Sequence, residues 1–103
     1  MSKITHEKIL KICEKWQREL KVNVRRVQIR EMKNKWGSYS SNGIFTLNKE
    51  LLRFPIRCVE YVVLHELLHR IIPNHGRTFE TLLYAYMPEW EKLHKCLENN
   101  GRK

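Results

Sequence analysis

Three spacings of apolar residues follow one another along the chain, and each predicts a different element. Ile4, Ile9, Ile12, Cys13, Trp16 and Leu20 recur at helical intervals among lysines and glutamates. This is the stripe of an amphipathic helix, with Ser2 as its expected cap, His6 exposed near its start, and an end near Leu20. From Val22 the interval shortens: Val22, Val24, Val27 and Ile29 lie among Arg and Gln as far as Met32, a strand pattern. Residues 33–35 turn the chain into a second strand over 36–40. Ser41-Asn42-Gly43 then closes a hairpin onto a third strand at 44–47, because Asn and Gly accept the positive φ that tight turns demand. The expected sheet is small and antiparallel, with a strand order that the pattern leaves open.

From Val59 to Ile72 the chain is apolar almost all the way round a helix, which marks a central element rather than a surface one. Asn48 is expected to cap a short helical turn over 49–53, and Pro55 to occupy the first position of the central helix, where a missing amide hydrogen costs nothing. Pro73 ends that helix. After Gly76, Thr78 is the expected cap of a helix with Phe79, Leu82, Leu83 and Tyr86 on its apolar face. Pro88 starts a last helix with Trp90, Leu93 and Leu97 inward, closed by Asn99-Asn100-Gly101. The reading is one α+β domain over residues 1–103.

The polar residues inside the central helix carry the chemistry. His65 and His69 are four apart, so they share a face with about 5–6 Å between Cβ atoms. Two imidazoles so placed can hold one zinc ion, with Zn–N bonds of roughly 2.0–2.1 Å. Glu66 follows the first ligand directly and can reach a water on the metal without binding the metal itself, the His-Glu-x-x-His arrangement in which Glu is the general base. Asn74 tolerates a left-handed turn, so the chain can fold back and bring His75 in as third ligand, leaving a coordination position open for water. The bland alternative is two helix histidines bonded to nearby backbone and Glu66 paired with Arg70 on a solvated face. A nearly all-apolar helix disfavours it, because polar groups buried there need partners.

Composition narrows the setting. With 103 residues the chain supports a single core, and no apolar run approaches the roughly 20 residues that span a bilayer. The N-terminal stretch leads into an amphipathic pattern rather than the apolar segment of a signal peptide. Cys13, Cys58 and Cys96 are odd in number, far apart and free of Cys-x-x-Cys spacing. They read as small buried residues in a reducing compartment, and the cytoplasm is the expected location. A formal charge of +9 suits a nucleic-acid partner, an acidic substrate or solubility alone. The densest basic group is Arg25, Arg26 and Arg30 with Lys33 and Lys35, which matches no nucleic-acid module, so a solvated surface is the favoured reading.

Lys35-Trp36-Gly37-Ser38, Asn42-Gly43, Leu47-Asn48, the run from Tyr61 to His69, Pro73-Asn74-His75 and Phe79 stand in an order and approximate spacing that covers more than half the chain. Together they resemble the YgjP-like metal-dependent hydrolases, relatives of the SprT-like zinc proteins among the zincins. The resemblance implies a minimal zincin-like fold: an N-terminal packing helix, a small sheet, a central active-site helix beneath the sheet's edge, and C-terminal helices. It also implies zinc on His65, His69 and His75, with Glu66 as catalytic base. Tyr39 stands where the family usually has Cys, Glu80 where it usually has Trp, and the longer β-rich N-terminal region of many members is missing; these departures bear on substrate preference. The spacing from His69 to His75 equals that of the metzincins, but Ile72 stands where those proteins need glycine.

The expected function is therefore a zinc-dependent hydrolase, a small metallopeptidase with one zinc per chain and a peptide or protein substrate. Candidate transition-state donors are Arg77, Tyr84, Tyr86 and His94. Glu80 reads as an exposed carboxylate before it reads as a second ligand or a histidine's partner. Trp36, Gly37 and Ser38, with Arg77, are the candidate substrate-binding residues, since an edge strand beside the metal can pair with an extended peptide; Trp36 serves equally as a core anchor. The competing readings are a DNA-associated SprT-like protein using Arg25, Arg26 and Arg30, a zinc-holding module without turnover, and a hydrolase of a phosphoanhydride.

Overall fold

A computed structural model describes residues 5–74 and 76–100. Helix α1 spans His6–Leu20, and strands β1, β2 and β3 span Arg26–Arg30, Gly37–Tyr39 and Ile44–Asn48. A 3-10 turn at Lys49–Arg53 leads to α2 at Ile56–Ile71, followed by α3 at Arg77–Tyr86 and α4 at Trp90–Asn100. The architecture is the expected α+β one, with each boundary set by a local cause. Thr5 caps α1, its hydroxyl accepting from the Lys8 amide at 3.2 Å; Ser2 and Ile4 lie outside the described residues. His6 is exposed, and Ile9, Ile12, Cys13, Trp16 and Leu20 are buried along the predicted stripe. Pro55 sits one residue before α2 rather than at its first position, and Gly76, not Thr78, precedes α3. The last helix begins two residues after Pro88; Gly101 lies outside the described residues.

The sheet differs from the expectation in one respect. Its order is β1-β3-β2, with β2 antiparallel to β3 but β1 parallel to it. Antiparallel pairing holds for the hairpin alone. The reason lies in the connection: after Arg30 the chain passes beyond the end of the sheet and enters β2 on the far side, so the hairpin returns β3 between the two. As the central strand, β3 buries Phe45 and Leu47 completely. Gly43 makes the hairpin possible twice over. It adopts φ +89°, and a Cβ there would stand 2.9 Å from the Cβ of Arg25, whose amide donates to the Gly43 carbonyl at 2.9 Å.

Asn48 ties the connection to the sheet. Its side-chain amide donates to the Met32 carbonyl at 3.1 Å and the Lys35 carbonyl at 2.7 Å, while its Oδ1 accepts from the Glu50 amide at 2.9 Å and caps the 3-10 turn. Asn48 is buried, so Asn48→Ala removes three bonds and strands two carbonyls. Each such net bond contributes about 1 kcal/mol, and an unsatisfied buried group costs about 1–3 kcal/mol. The expected loss is about 3 kcal/mol, read as a lower denaturant midpoint at unchanged m-value.

Helix α2 is the axis of the molecule. Cys58, Val59, Tyr61, Val62, Val63, Leu64, Leu67 and Leu68 are all buried, with α1, α3, α4 and β2 packed around them. His65, Glu66 and His69 occupy a partly open strip. Arg57 holds its first turn to the loop before α4, donating to Glu89 through Nε at 2.9 Å, and also pairs with Glu60 on α2 itself. Cys13 is buried in α1, as expected of an isolated apolar cysteine. Cys58 is buried in α2, and Cys96 is half-buried on α4 and packed against the core.

Candidate metal centre

His65 and His69 project from the same face of α2 with ring centroids 4.9 Å apart and planes at 79°. Phe79 of α3 is wedged against both, 5.4 Å from the His65 ring and 4.6 Å from that of His69. The wedge limits the rotamers open to either imidazole. Glu66 Oε2 lies 3.5 Å from His65 Nδ1, too long for a firm hydrogen bond and at the outer range of an ion pair. Glu66 does not lean on Arg70; the Arg70 guanidinium lies over the Tyr39 ring at 5.5 Å, while Glu66 lines a cleft with both histidines. His75 lies outside the described residues. Among the described residues no three His, Cys, Asp or Glu side chains converge as a metal site, so the described part of the centre is a pair of imidazoles with a carboxylate beside them. That donor set fits zinc, which takes imidazole nitrogen and in catalytic sites keeps one position open.

The cleft has a volume of about 500 Å³. One side is formed by six consecutive residues from Asn34 to Tyr39, the floor by Tyr61, Val62, His65, Glu66 and His69, and the other side by His94, Leu97 and Glu98 of α4. Strand β2 sits directly on the helix because Gly37 has no side chain: a Cβ there would lie 3.1 Å from Glu66 Cγ and 3.2 Å from Val62 Cγ1. Gly37→Ala therefore pushes the Glu66 stem by a few tenths of an ångström. Because misplacement of about 1 Å can cost roughly a hundredfold, the expected loss is about three- to tenfold in kcat with little change in thermal midpoint, measured by steady-state kinetics beside a melting curve.

Strand β2 is also an edge. Trp36 accepts at its carbonyl from the Asn48 amide and Ser40 donates to the Ile44 carbonyl, both at 2.9 Å. Alternate residues 36, 38 and 40 thus face β3, and the main-chain groups of Gly37 and Tyr39 face away from it. Trp36 lines the cleft and also packs edge-on against Phe54 at 5.2 Å, so it serves both the rim and the core.

Of the four donor candidates only His94 reaches the cleft. Arg77 and Tyr84 line a separate shallow depression with Glu80, Thr81, Trp90 and Glu91, and Tyr86 packs edge-on against Trp16 at 5.5 Å. The cause is helical phase: α3 turns Phe79 toward the histidines, and Arg77, two positions earlier, falls on the opposite side. Arg77 is therefore withdrawn as a cleft residue, and Glu80 is exposed. Sequence reasoning passed over Tyr61 as a functional side chain. Its position four before His65 puts it on the ligand face, and its hydroxyl lies 3.0 Å from His94 Nδ1. Burial, with the charges of Glu66 and Glu98 adding, pushes the Tyr61 hydroxyl above the usual phenol range. It therefore stays protonated beside His94, whose Nε2 is 3.5 Å from Glu98 Oε2.

Arg25, Arg26 and Arg30 are exposed on or beside β1, at the sheet edge away from β2. Among the described residues no helix is long and apolar enough to cross a membrane.

Comparison with known proteins bears on the fold and the family. The jannalysin metallopeptidase zymogen of Methanocaldococcus jannaschii superposes with a TM-score of 0.76 at 30% identity, covering 88% of this chain and 94% of that one. The abylysin metallopeptidase zymogen of Pyrococcus abyssi gives 0.77 at 20% identity, covering 92% and 97%, a likeness of fold. No curated protein matches the sequence. The model of the YgjP-like metallopeptidase domain matches residues 1–100. The chain belongs to the YgjP-like metallopeptidase family.

Proposed function

We propose that this protein is a zinc-dependent peptidase that holds one zinc ion per chain on His65, His69 and His75 and uses Glu66 as general base. The observation that carries the reading is the placement of Glu66 in one cleft with two imidazoles 4.9 Å apart, beside a strand whose outer edge is open to a substrate. Zinc held there supplies Lewis acidity toward water and toward the scissile carbonyl. The protein's own groups do the rest. An extended peptide pairs with the outward main-chain groups of Gly37 and Tyr39 as an added strand. That fixes the scissile bond over the strip of α2 that carries Glu66. Glu66 takes a proton from the attacking water and returns it to the leaving amine. Tyr61 and Val62 form the floor on which substrate side chains lie.

Latency belongs to the same reading. Jannalysin and abylysin are described as zymogens, and here α4 closes one side of the cleft through His94, Leu97 and Glu98. The test is elemental analysis of protein purified without chelators, followed by turnover screens against peptides and against nucleotides, on intact protein and after limited proteolysis. One zinc per chain and chelator-sensitive peptide cleavage support the reading. Cleavage of nucleotides alone would replace it with a phosphoanhydride hydrolase. The nucleic-acid alternative rests on Arg25, Arg26 and Arg30; it requires DNA binding that weakens log-linearly with salt.

A further inference from the structure

The peptidase reading uses one edge of the sheet and leaves the other unused. Strand β1 ends the order β1-β3-β2 on the side away from the cleft, and among the described residues β3 is its only strand neighbour. The Arg26 amide donates to the Gly43 carbonyl at 3.3 Å. Residues 26, 28 and 30 therefore turn their main-chain groups to β3, and Val27 and Ile29 turn theirs outward. Among the described residues no main-chain group pairs with those outward groups. Side chains alternate with the same period. Val27 and Ile29 pack against the core, while Arg26, Gln28 and Arg30 share the outer face, where Gln28 Nε2 donates to Thr46 Oγ1 at 3.0 Å. Arg26 and Arg30 are exposed, and among the described residues neither they nor Arg25 has an ion-pair partner. From 25 to 35, five arginines and lysines stand against one acidic residue, Glu31.

We propose that the β1 edge is a docking site for an acidic, extended polypeptide, which adds a strand beside β1 with carboxylates opposite Arg26 and Arg30. The outward groups of Val27 and Ile29 offer the alternating donors and acceptors that an added strand pairs with. A strand laid there puts every second side chain on the outer face, about 4.5–5.5 Å from its neighbour on β1 between Cβ atoms. The residues opposite Arg26 and Arg30 are then four apart, with a polar residue opposite Gln28 between them. Apolar residues fall in line with Val27 and Ile29. This pattern reads the same in both directions, so the charges match for a parallel or an antiparallel strand. A second copy of β1 does not fit, because antiparallel pairing about Gln28 sets arginine against arginine. Nucleic acid suits the arginines but not the edge, since a phosphodiester backbone has no N–H for the outward carbonyls. The edge lies across β3 from β2, with about 10 Å between the outer strands, so docking there leaves the cleft free.

Docking needs neither metal nor turnover, so its test is independent of the peptidase reading. The probe is a capped, fluorescent peptide centred on Glu-Val-Thr-Val-Glu, titrated with the full chain at low salt and read by anisotropy beside its Lys-Val-Thr-Val-Lys analogue. The acidic probe should bind at least about tenfold more tightly, because two cross-strand pairs change from opposite to like charge in the analogue. The double variant Arg26→Glu, Arg30→Glu, at exposed positions, should reverse that preference with an unchanged melting curve. Two further acidic probes, N-methylated at the odd or at the even amides, keep every charge. One should lose at least about tenfold in affinity and the other should not, because only alternate amides of an added strand face β1. Amide resonances of Val27 and Ile29 should shift in the complex. No binding, or equal binding of the acidic and basic probes, would overturn the proposal and leave the arginines as guards of an open edge. Equal effects of the two methylation patterns would rule out the added strand. Shifts at Gly37 and Tyr39 instead would move the probe to the substrate edge. Single-stranded DNA that displaces the acidic probe and binds more tightly would make the surface a nucleic-acid site.

Discussion

Glu66→Gln should keep its metal and its fold while losing at least about a hundredfold in turnover, the lower end of general-base contributions of about 10²–10⁴. The amide has the shape of the carboxylate but cannot accept a proton, so the substitution isolates that one step. Structural damage should be small for two reasons. Glu66 is partly open to the cleft, and its stem, packed under Gly37, is unchanged in Gln. The measurement is kcat on any peptide the wild type cleaves, beside zinc content and a melting curve. Equal activity would remove Glu66 as the base. A fall in zinc content with activity would instead make Glu66 a ligand, contrary to the reading of its place next to His65.

Much of this site was legible because a helix has a fixed period. The i, i+4 relation alone places His65 and His69 on one face, and the near-total apolar character of α2 announces that the strip between them is special. The same rule places Tyr61, four positions before His65, on that face. What stayed hidden depends on how elements meet. Arg77 is a candidate donor and substrate-binding residue by its side-chain chemistry, yet the phase of α3 turns Phe79 to the histidines and Arg77 to a separate depression. The contact between Tyr61 and His94 crosses from α2 to α4, and no local pattern encodes it. The parallel pairing of β1 with β3 was hidden likewise, since it follows from where Asn48 anchors the connection rather than from strand alternation. Gly37 belongs between the two cases: its identity was noticed in the strand, but the reason for it, the 3.1 Å approach to Glu66, is tertiary.

His69→Ala should lose metal and stability together, the opposite signature to Glu66→Gln. Metal that binds only the folded state stabilises it by about 4 kcal/mol when free metal is at a thousand times its dissociation constant. For a domain of this size that corresponds to roughly 15 °C or more in thermal midpoint. Removing a ligand forfeits this, so the variant should melt near the chelator-treated wild type, and added zinc should raise the wild type but not the variant. The comparison separates ligand loss from packing loss. His69 packs at a tilt against Phe79, ring centroids 4.6 Å apart, so truncation also opens a small gap; His69→Phe, which can fill it, should recover the packing component and none of the response to zinc. Acidification should mimic the variant in the wild type, because protons compete for the same imidazole nitrogens. A His69→Ala protein that still purifies with one zinc per chain and answers to chelator as the wild type does would place the metal elsewhere, and Glu66 would then have no ligand beside it to serve.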